Sequence, residues 1–240
     1  MAAFDLNPIL MGLALVQSVD CASIVPPTRN LMYSPDMLLR YDALQETALK
    51  TDPYPYMVLP DAFEEDQLQA VLSDFPDIKH PGSIPIAEAG SGPGFDALIK
   101  ELDSDEFRSA IEAKFGVDLS DAPTMYTVRG VMRQKDGRIH TDSKTKIITV
   151  LFYFNEEWAN EGGYLRVLRN GTDIEDYVDE IPPSAGTMVA FRVTDNCWHG
   201  HKPLVGQRRS IQMNYLVNSA ALGKHKFFHG LSAKLKKLFS

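Results

Sequence analysis

After residue 122 the hydrophobic period of this chain changes from helical spacing to two. Six short segments follow one another: YTVRGVMRQ, KIITVLFYFN, GGYLRVLRN, DIEDYVDEI, GTMVAFRV and RRSIQMNYLV. They are rich in β-branched and aromatic residues and are separated by turn residues, so each reads as a strand. Asn170-Gly171 signals a hairpin between the third and fourth. Before residue 122 the spacing is mostly helical. Residues 36–50 read as a helix, YPYMVLPDAF as a short strand closed by Pro60, and EEDQLQAVLSDF as an amphipathic helix with acids in its first turn. HPGSIPIAEAGSGPGF is rich in Gly and Pro and reads as loop. No strand precedes its glycines and no lysine follows in the right place, so it is not read as a phosphate loop. LDSDEFRSAIEAKFG reads as a helix capped by Ser104 and stopped by Gly116. Helices first and strands afterwards predict an α+β chain whose second half is a β-sandwich or barrel.

The expected organisation is an N-terminal extension over 1–35, a helical support region with one strand over 36–121, a β core over 122–220 and a basic amphipathic tail over 221–240. The apolar run PILMGLALVQSV is too short to span a bilayer. Asp5 precedes it with no Lys or Arg, so it reads as a helix packed on the domain and not as a secretory leader. A net charge of −8 argues against nucleic acid as a partner, because phosphate binding needs a basic footprint. Cys21 and Cys197 make no disulfide framework and fit a reducing compartment, so the cytoplasm is the expected location. The tail, GKHKFFHGLSAKLKKLFS, carries five lysines among its apolar residues. It is expected to dock on its own domain, with weak contact to a membrane surface or a protein as the other reading.

The chemistry is concentrated in two stretches. In RIHTDSK, His140 and Asp142 are two residues apart, and on extended backbone such residues share a face. An imidazole nitrogen and a carboxylate oxygen can thus aim at one point. A second, distant histidine would complete a 2-His-1-carboxylate triad, which holds Fe(II) on one face and leaves positions open. In NCWHGHKPLVGQRRSIQMNY, His199 and His201 both qualify by type. A strand beginning near Gln207 would put Arg208, Ser210 and Gln212 on one face and Arg209, Ile211 and Met213 on the other. Arg208 with Ser210 would offer a dicarboxylate a bidentate cation and a hydroxyl donor.

On these residues the region 122–217 resembles the Fe(II)- and 2-oxoglutarate-dependent dioxygenases of the prolyl-4-hydroxylase-like branch. The carrying motifs are His140-Thr141-Asp142, LFYFN at 151–155, GGYLR at 162–166, then His199, Arg208 nine residues later, and Ser210. The spacing of nine selects His199 over His201. The resemblance implies a double-stranded β-helix, a jelly roll with N-terminal helices packed on one sheet. It implies Fe(II) held by His140, Asp142 and His199, with 2-oxoglutarate and O2 as cosubstrates. Arg208 would pair with the far carboxylate of 2-oxoglutarate, helped by Ser210 and Tyr153. Arg129, Arg133 and Arg166 are the candidates on the substrate side. His225 and His229 lie in the tail and are not expected to be ligands. Presence of Asp142 favours hydroxylation, with release of succinate and CO2. The substrate would be a polar small molecule or a peptidyl residue. The competing expectation is a jelly-roll binding module that keeps a metal without turnover.

Overall fold

The structure is a computed structural model that describes residues 37–223. Both the apolar segment PILMGLALVQSV and the tail beyond Gly223, with His225 and His229, lie outside the described residues. So does the first residue of the helix expected over 36–50.

The strand-period segments pair as two antiparallel sheets. In chain order the strands are β1 (Tyr56–Leu59), β2 (Ile84–Pro85), β3 (Thr124–Met132), β4 (Lys146–Tyr153), β5 (Leu165–Leu168), β6 (Tyr177–Ile181), β7 (Met188–Arg192), β8 (His199–Gly200) and β9 (Gly206–Leu216). The larger sheet runs β1-β7-β4-β9-β3-β2 and the smaller runs β6-β5-β8. This is the double-stranded β-helix that the resemblance implies. Alternation along β4 sorts its two faces. Ile148, Val150 and Phe152 are fully buried on one side, while Thr149, Leu151 and Tyr153 face a cavity between the sheets. Tyr54, Leu165, Val167, Ile181, Val189, Phe191 and Cys197 form the apolar filling on the inner side.

The helices α1 (Tyr41–Glu46), α2 (Glu65–Ser73), α3 (Pro93–Leu102) and α4 (Asp105–Phe115) precede the main strands. Aromatic residues join this region to the outer face of the larger sheet. Phe63 stacks edge-on against Phe152 and Phe154, Phe75 tilts against Phe154, and Phe107 against Phe152, all with centroids 5.3–6.4 Å apart. Ser104 caps α4 by accepting from Phe107 N at 3.2 Å, and Gly116 ends it in the left-handed region at φ 61°, as the sequence predicts.

Three expectations need correction. The helix expected over 36–50 is confined to Tyr41–Glu46, because Leu39 and Lys50 bridge to Phe63 and Tyr56 instead. The Gly/Pro-rich segment is not all loop: it supplies β2, and Pro93 opens α3, where a missing N–H costs nothing. Gly94 N donates to Asp74 Oδ2 at 2.6 Å, so an acid from the end of α2 caps this helix. A Cβ on Gly94 would meet the Ala70 carbonyl at 2.6 Å, and this close approach, not phosphate binding, explains the glycine. Finally, β5 and β6 do pair as a hairpin, but Asn170-Gly171 is not a two-residue turn. Leu168 pairs with Tyr177, and Asn170 Oδ1 accepts from Thr172 N and Asp173 N inside the longer loop. Gly171 is there because Trp198 lies where its Cβ would be. Among the described residues, no helix is long and apolar enough to cross a membrane.

Candidate metal centre and cavity

β4, β9 and β3 lie side by side, so register fixes what faces the cavity. Tyr153, Ser210 and Arg129 form one row across the three strands, and Leu151, Gln212 and Thr127 the next. Thr149 and Asn214 lie in the row beyond. The guanidinium end and the Thr149 end are thus four residues apart along β4, or about 13 Å of extended chain. The cavity is lined by residues from both ends, with His140, Asp142 and His199 closing the Thr149 end.

Backbone pairing brings the two histidines together. His140 N donates to His199 O and His199 N to His140 O, both at 3.0 Å. Each ring is then oriented by a carbonyl: His140 Nδ1 donates to Arg138 O and His199 Nδ1 to Cys197 O, both at 2.8 Å. A carbonyl only accepts, so Nδ1 carries the proton and Nε2 is the nitrogen able to bind a metal. Asp142 completes the cluster, and its ligand atom and those of the histidines lie within 4.8 Å of one another. His140 is exposed and His199 buried, so the cluster meets solvent on one side.

The carboxylate is oriented as firmly as the rings. Lys146 Nζ lies 2.9 Å from Asp142 Oδ1, and Thr149 Oγ1 donates to Oδ2 at 2.5 Å. Burial would raise the carboxyl, but Lys146, then His199 and the Thr149 hydroxyl, hold it below the usual range. Each carboxylate oxygen has two acceptor sites, so one remains for an ion on either oxygen. Two imidazoles and one ionised carboxylate are a donor set that fits Fe(II).

At the other end, Arg208 is buried under the smaller sheet. Its Nε donates to Gly163 O at 2.8 Å and its Nη2 to Tyr153 Oη at 3.3 Å, with the guanidinium 4.8 Å above the Tyr153 ring. Burial raises the Tyr153 hydroxyl above its ordinary value despite Arg208, so it is a neutral donor. Asn155 sets the direction of this arginine. It accepts from Arg209 N at 2.7 Å and donates to Arg209 O at 3.1 Å, which locks the alternation of β9 at this point. Arg209 therefore points to the opposite face, where its guanidinium covers Phe75 at 5.7 Å.

The remaining candidates separate clearly. Arg129 lines the cavity and is not a solvated side chain. Arg133 is paired with Asp136 at 3.1 Å, partly exposed, and does not line the cavity. Arg166 does not face the site. Leu165 and Val167 take the inner face of β5, so Arg166 points outward, where it bonds Glu180, pairs with Glu175 at 3.0 Å and lies 4.3 Å from the Tyr177 ring. Tyr126 also points away, donating to Asp103 Oδ1 at 2.6 Å. His201, set aside at the sequence level, lines the same cavity beside Arg208. Its Nδ1 bonds Lys202 O at 2.8 Å, and a Cβ on Gly137, at φ 80°, would fall 2.1 Å from its ring. The same two-residue spacing that pairs His140 with Asp142 could have placed it. Gln212 lines the cavity on the face where the alternation put it with Arg208 and Ser210, whereas Lys146, four residues after Asp142, went unread.

Both buried histidines are held neutral. Burial, then the proximity of His140, brings His199 down to about 4, and burial with Arg208 does the same to His201. The unfolded chain therefore binds more protons than the folded one between about pH 6.5 and 4. Their contribution is full above that window and is lost as pH falls through it, roughly 3 kcal/mol for each histidine. The metal-free protein should lose thermal stability steadily from pH 6.5 to 4, and His201→Gln should show a shallower loss. Calorimetry at stepped pH measures both slopes; equal slopes would contradict a neutral buried His201.

Residues 126–216 match the family model of the 2OG-Fe(II) oxygenase superfamily, whose members use Fe(II), 2-oxoglutarate and O2. The fold is similar to that of a Pseudomonas putida prolyl-4-hydroxylase, with a TM-score of 0.51 and 16% identity over 76% of this chain and 96% of that one. A prolyl 4-hydroxylase from Phytophthora capsici gives a TM-score of 0.50 and 16% identity, over 78% of this chain and 68% of that one. No curated protein sequence matches the chain.

Proposed function

We propose that this chain is a 2-oxoglutarate-dependent hydroxylase, acting on an aliphatic C–H of a polar small molecule or a peptidyl residue and releasing succinate and CO2. Residues 122–220 form its catalytic core and 36–121 support it. The observation that carries the reading is the pairing of two ends in one cavity. Three metal-capable side chains stand within 4.8 Å of one another, and a buried arginine faces them from the other end.

When bound, Fe(II) would supply O2 activation coupled to decarboxylation of the oxoacid. His140, Asp142 and His199 would hold it through two neutral imidazoles and one anion. Arg208 would bind the far carboxylate of 2-oxoglutarate with Nη1 and Nη2, since Nε is occupied by Gly163 O. Tyr153 and Ser210 would add hydroxyl donors to the same group. The aliphatic wall of Leu151 and Leu165 between the two ends would exclude water from the chain of the oxoacid.

The test is a visible spectrum of the protein with Fe(II) and 2-oxoglutarate under anaerobic conditions. A weak charge-transfer band from the chelated oxoacid is expected, followed by succinate release when O2 is admitted with a substrate. Absence of the band at saturating concentrations would leave a jelly-roll binding module without turnover.

A further inference from the structure

Arg208 leaves a second cation in the cavity unexplained. Arg129 sits across β9 from Tyr153, on the β3 side of Ser210. Arg208 leans toward β4 through Tyr153. Two guanidiniums thus flank β9 on the same face, and each feels the other: burial lowers Arg129 first, and the charges of Arg208 and Arg133 lower it further, against the pull of Asp136. An arginine nonetheless stays charged in a protein.

The partners of Arg129 do not answer that charge. Its Nε donates to Ser83 Oγ at 2.9 Å and its Nη1 reaches Met132 Sδ at 4.0 Å, both uncharged acceptors. Among the described residues it makes no ion pair. Asp136, the acid that attracts it, is taken by Arg133 through three hydrogen bonds of 2.8–3.3 Å. Within the cavity lining the sole carboxylate is Asp142, and Lys146 matches it. The far carboxylate of a dicarboxylate held by Arg208, Ser210 and Tyr153 would offset one of the two guanidinium charges and leave the other, with the N–H groups of Arg129 not needed for that carboxylate. A planar fork with unspent N–H groups, partly buried and facing a cavity, fits a carboxylate.

Resting on the reading given under Proposed function, we propose that Arg129 is a second carboxylate-binding residue of this cavity and that the compound oxidised carries the carboxylate it binds. The substrate class is then an organic acid, a free amino acid or a peptide acid, and not a neutral chain segment.

The experiment uses the full chain with Fe(II) under anaerobic conditions and follows the thermal midpoint. 2-Oxoglutarate is titrated first. Acetate, and acetamide as its uncharged counterpart, are then titrated at saturating 2-oxoglutarate. Wild type should show a further, saturable rise with acetate and none with acetamide. Arg129→Gln should bind 2-oxoglutarate with unchanged affinity and acetate about tenfold or more weakly. Arg129→Lys, which keeps the charge, should fall between the two and carries the test if the glutamine variant does not fold. Equal effects of acetate and acetamide on wild type overturn the proposal, as does an unchanged acetate response in Arg129→Gln. A loss of about tenfold or more in 2-oxoglutarate affinity in Arg129→Gln also overturns it, and assigns Arg129 to the cosubstrate's own carboxylate. If wild type binds no 2-oxoglutarate, the hydroxylase reading fails separately, and the acetate comparison is read on protein without it.

Discussion

His199→Ala should remove the anaerobic charge-transfer band and weaken Fe(II) binding by more than the ~100-fold that loss of an outer-shell partner costs, because a direct ligand is lost. His201→Ala, two residues away, should keep the band. Both histidines are buried and both line the cavity, so burial and location do not distinguish them. Geometry does. His199 is bridged to His140 through two backbone hydrogen bonds, and its ring stands 4.3 Å from the His140 ring, in the cluster with Asp142. His201 faces Gly137 and the Arg208 end. Metal titration of the two variants beside wild type gives the answer. If His201→Ala lost the band and His199→Ala kept it, the assignment of the third ligand would be wrong.

Arg208→Ala should leave the metal cluster intact and remove most of the affinity for 2-oxoglutarate. Truncating one partner of a buried, hydrogen-bonded charge pair costs about 2–5 kcal/mol, or roughly 30-fold to several thousand-fold in Kd. Part of that loss would come from Tyr153, whose hydroxyl loses its recorded contact with the guanidinium. Arg208→Lys should recover little, since an ammonium cannot offer the planar two-point contact or keep the bond from Nε to Gly163 O. Calorimetric titration of 2-oxoglutarate into metal-loaded protein separates these cases. An Arg208→Ala protein with wild-type affinity would place the far carboxylate elsewhere, and Arg129 would be the first alternative.

Much of the fold was legible because period two is hard to mistake where one face is buried. Strands β4, β5, β6 and β7 fall inside segments read as strands from their alternation and residue types, β3 and β9 begin two residues before theirs, and the two-residue β8 was not read as a strand. The same alternation put Arg208 and Ser210 on the cavity side and Arg209 on the other. What escaped had separate causes. Helix α3 was hidden by its glycines, and its first turn is held by Asp74 from another helix. The candidacy of Arg166 overlooked the alternation of its own strand: Leu165 and Val167 turn inward, so Arg166 turns outward to Glu175 and Glu180. Lys146 gave no signal, since a lysine at the start of a strand is usually solvated. Only the fold shows that its ammonium lies against Asp142 with 9% of the side chain exposed.

The bridge between His140 and His199 has a consequence for how the protein meets its metal. The two rings are spaced by backbone hydrogen bonds, and Asp142 is held by Lys146 and Thr149, so the three donors are set by contacts that include no ion. In a zinc finger, metal affinity is consumed in folding the chain. A site held by such contacts would be complete before loading, so loading and folding would be separate events and exchange of the ion would not require unfolding. Iron supply would then govern how many molecules are active, and not how many survive.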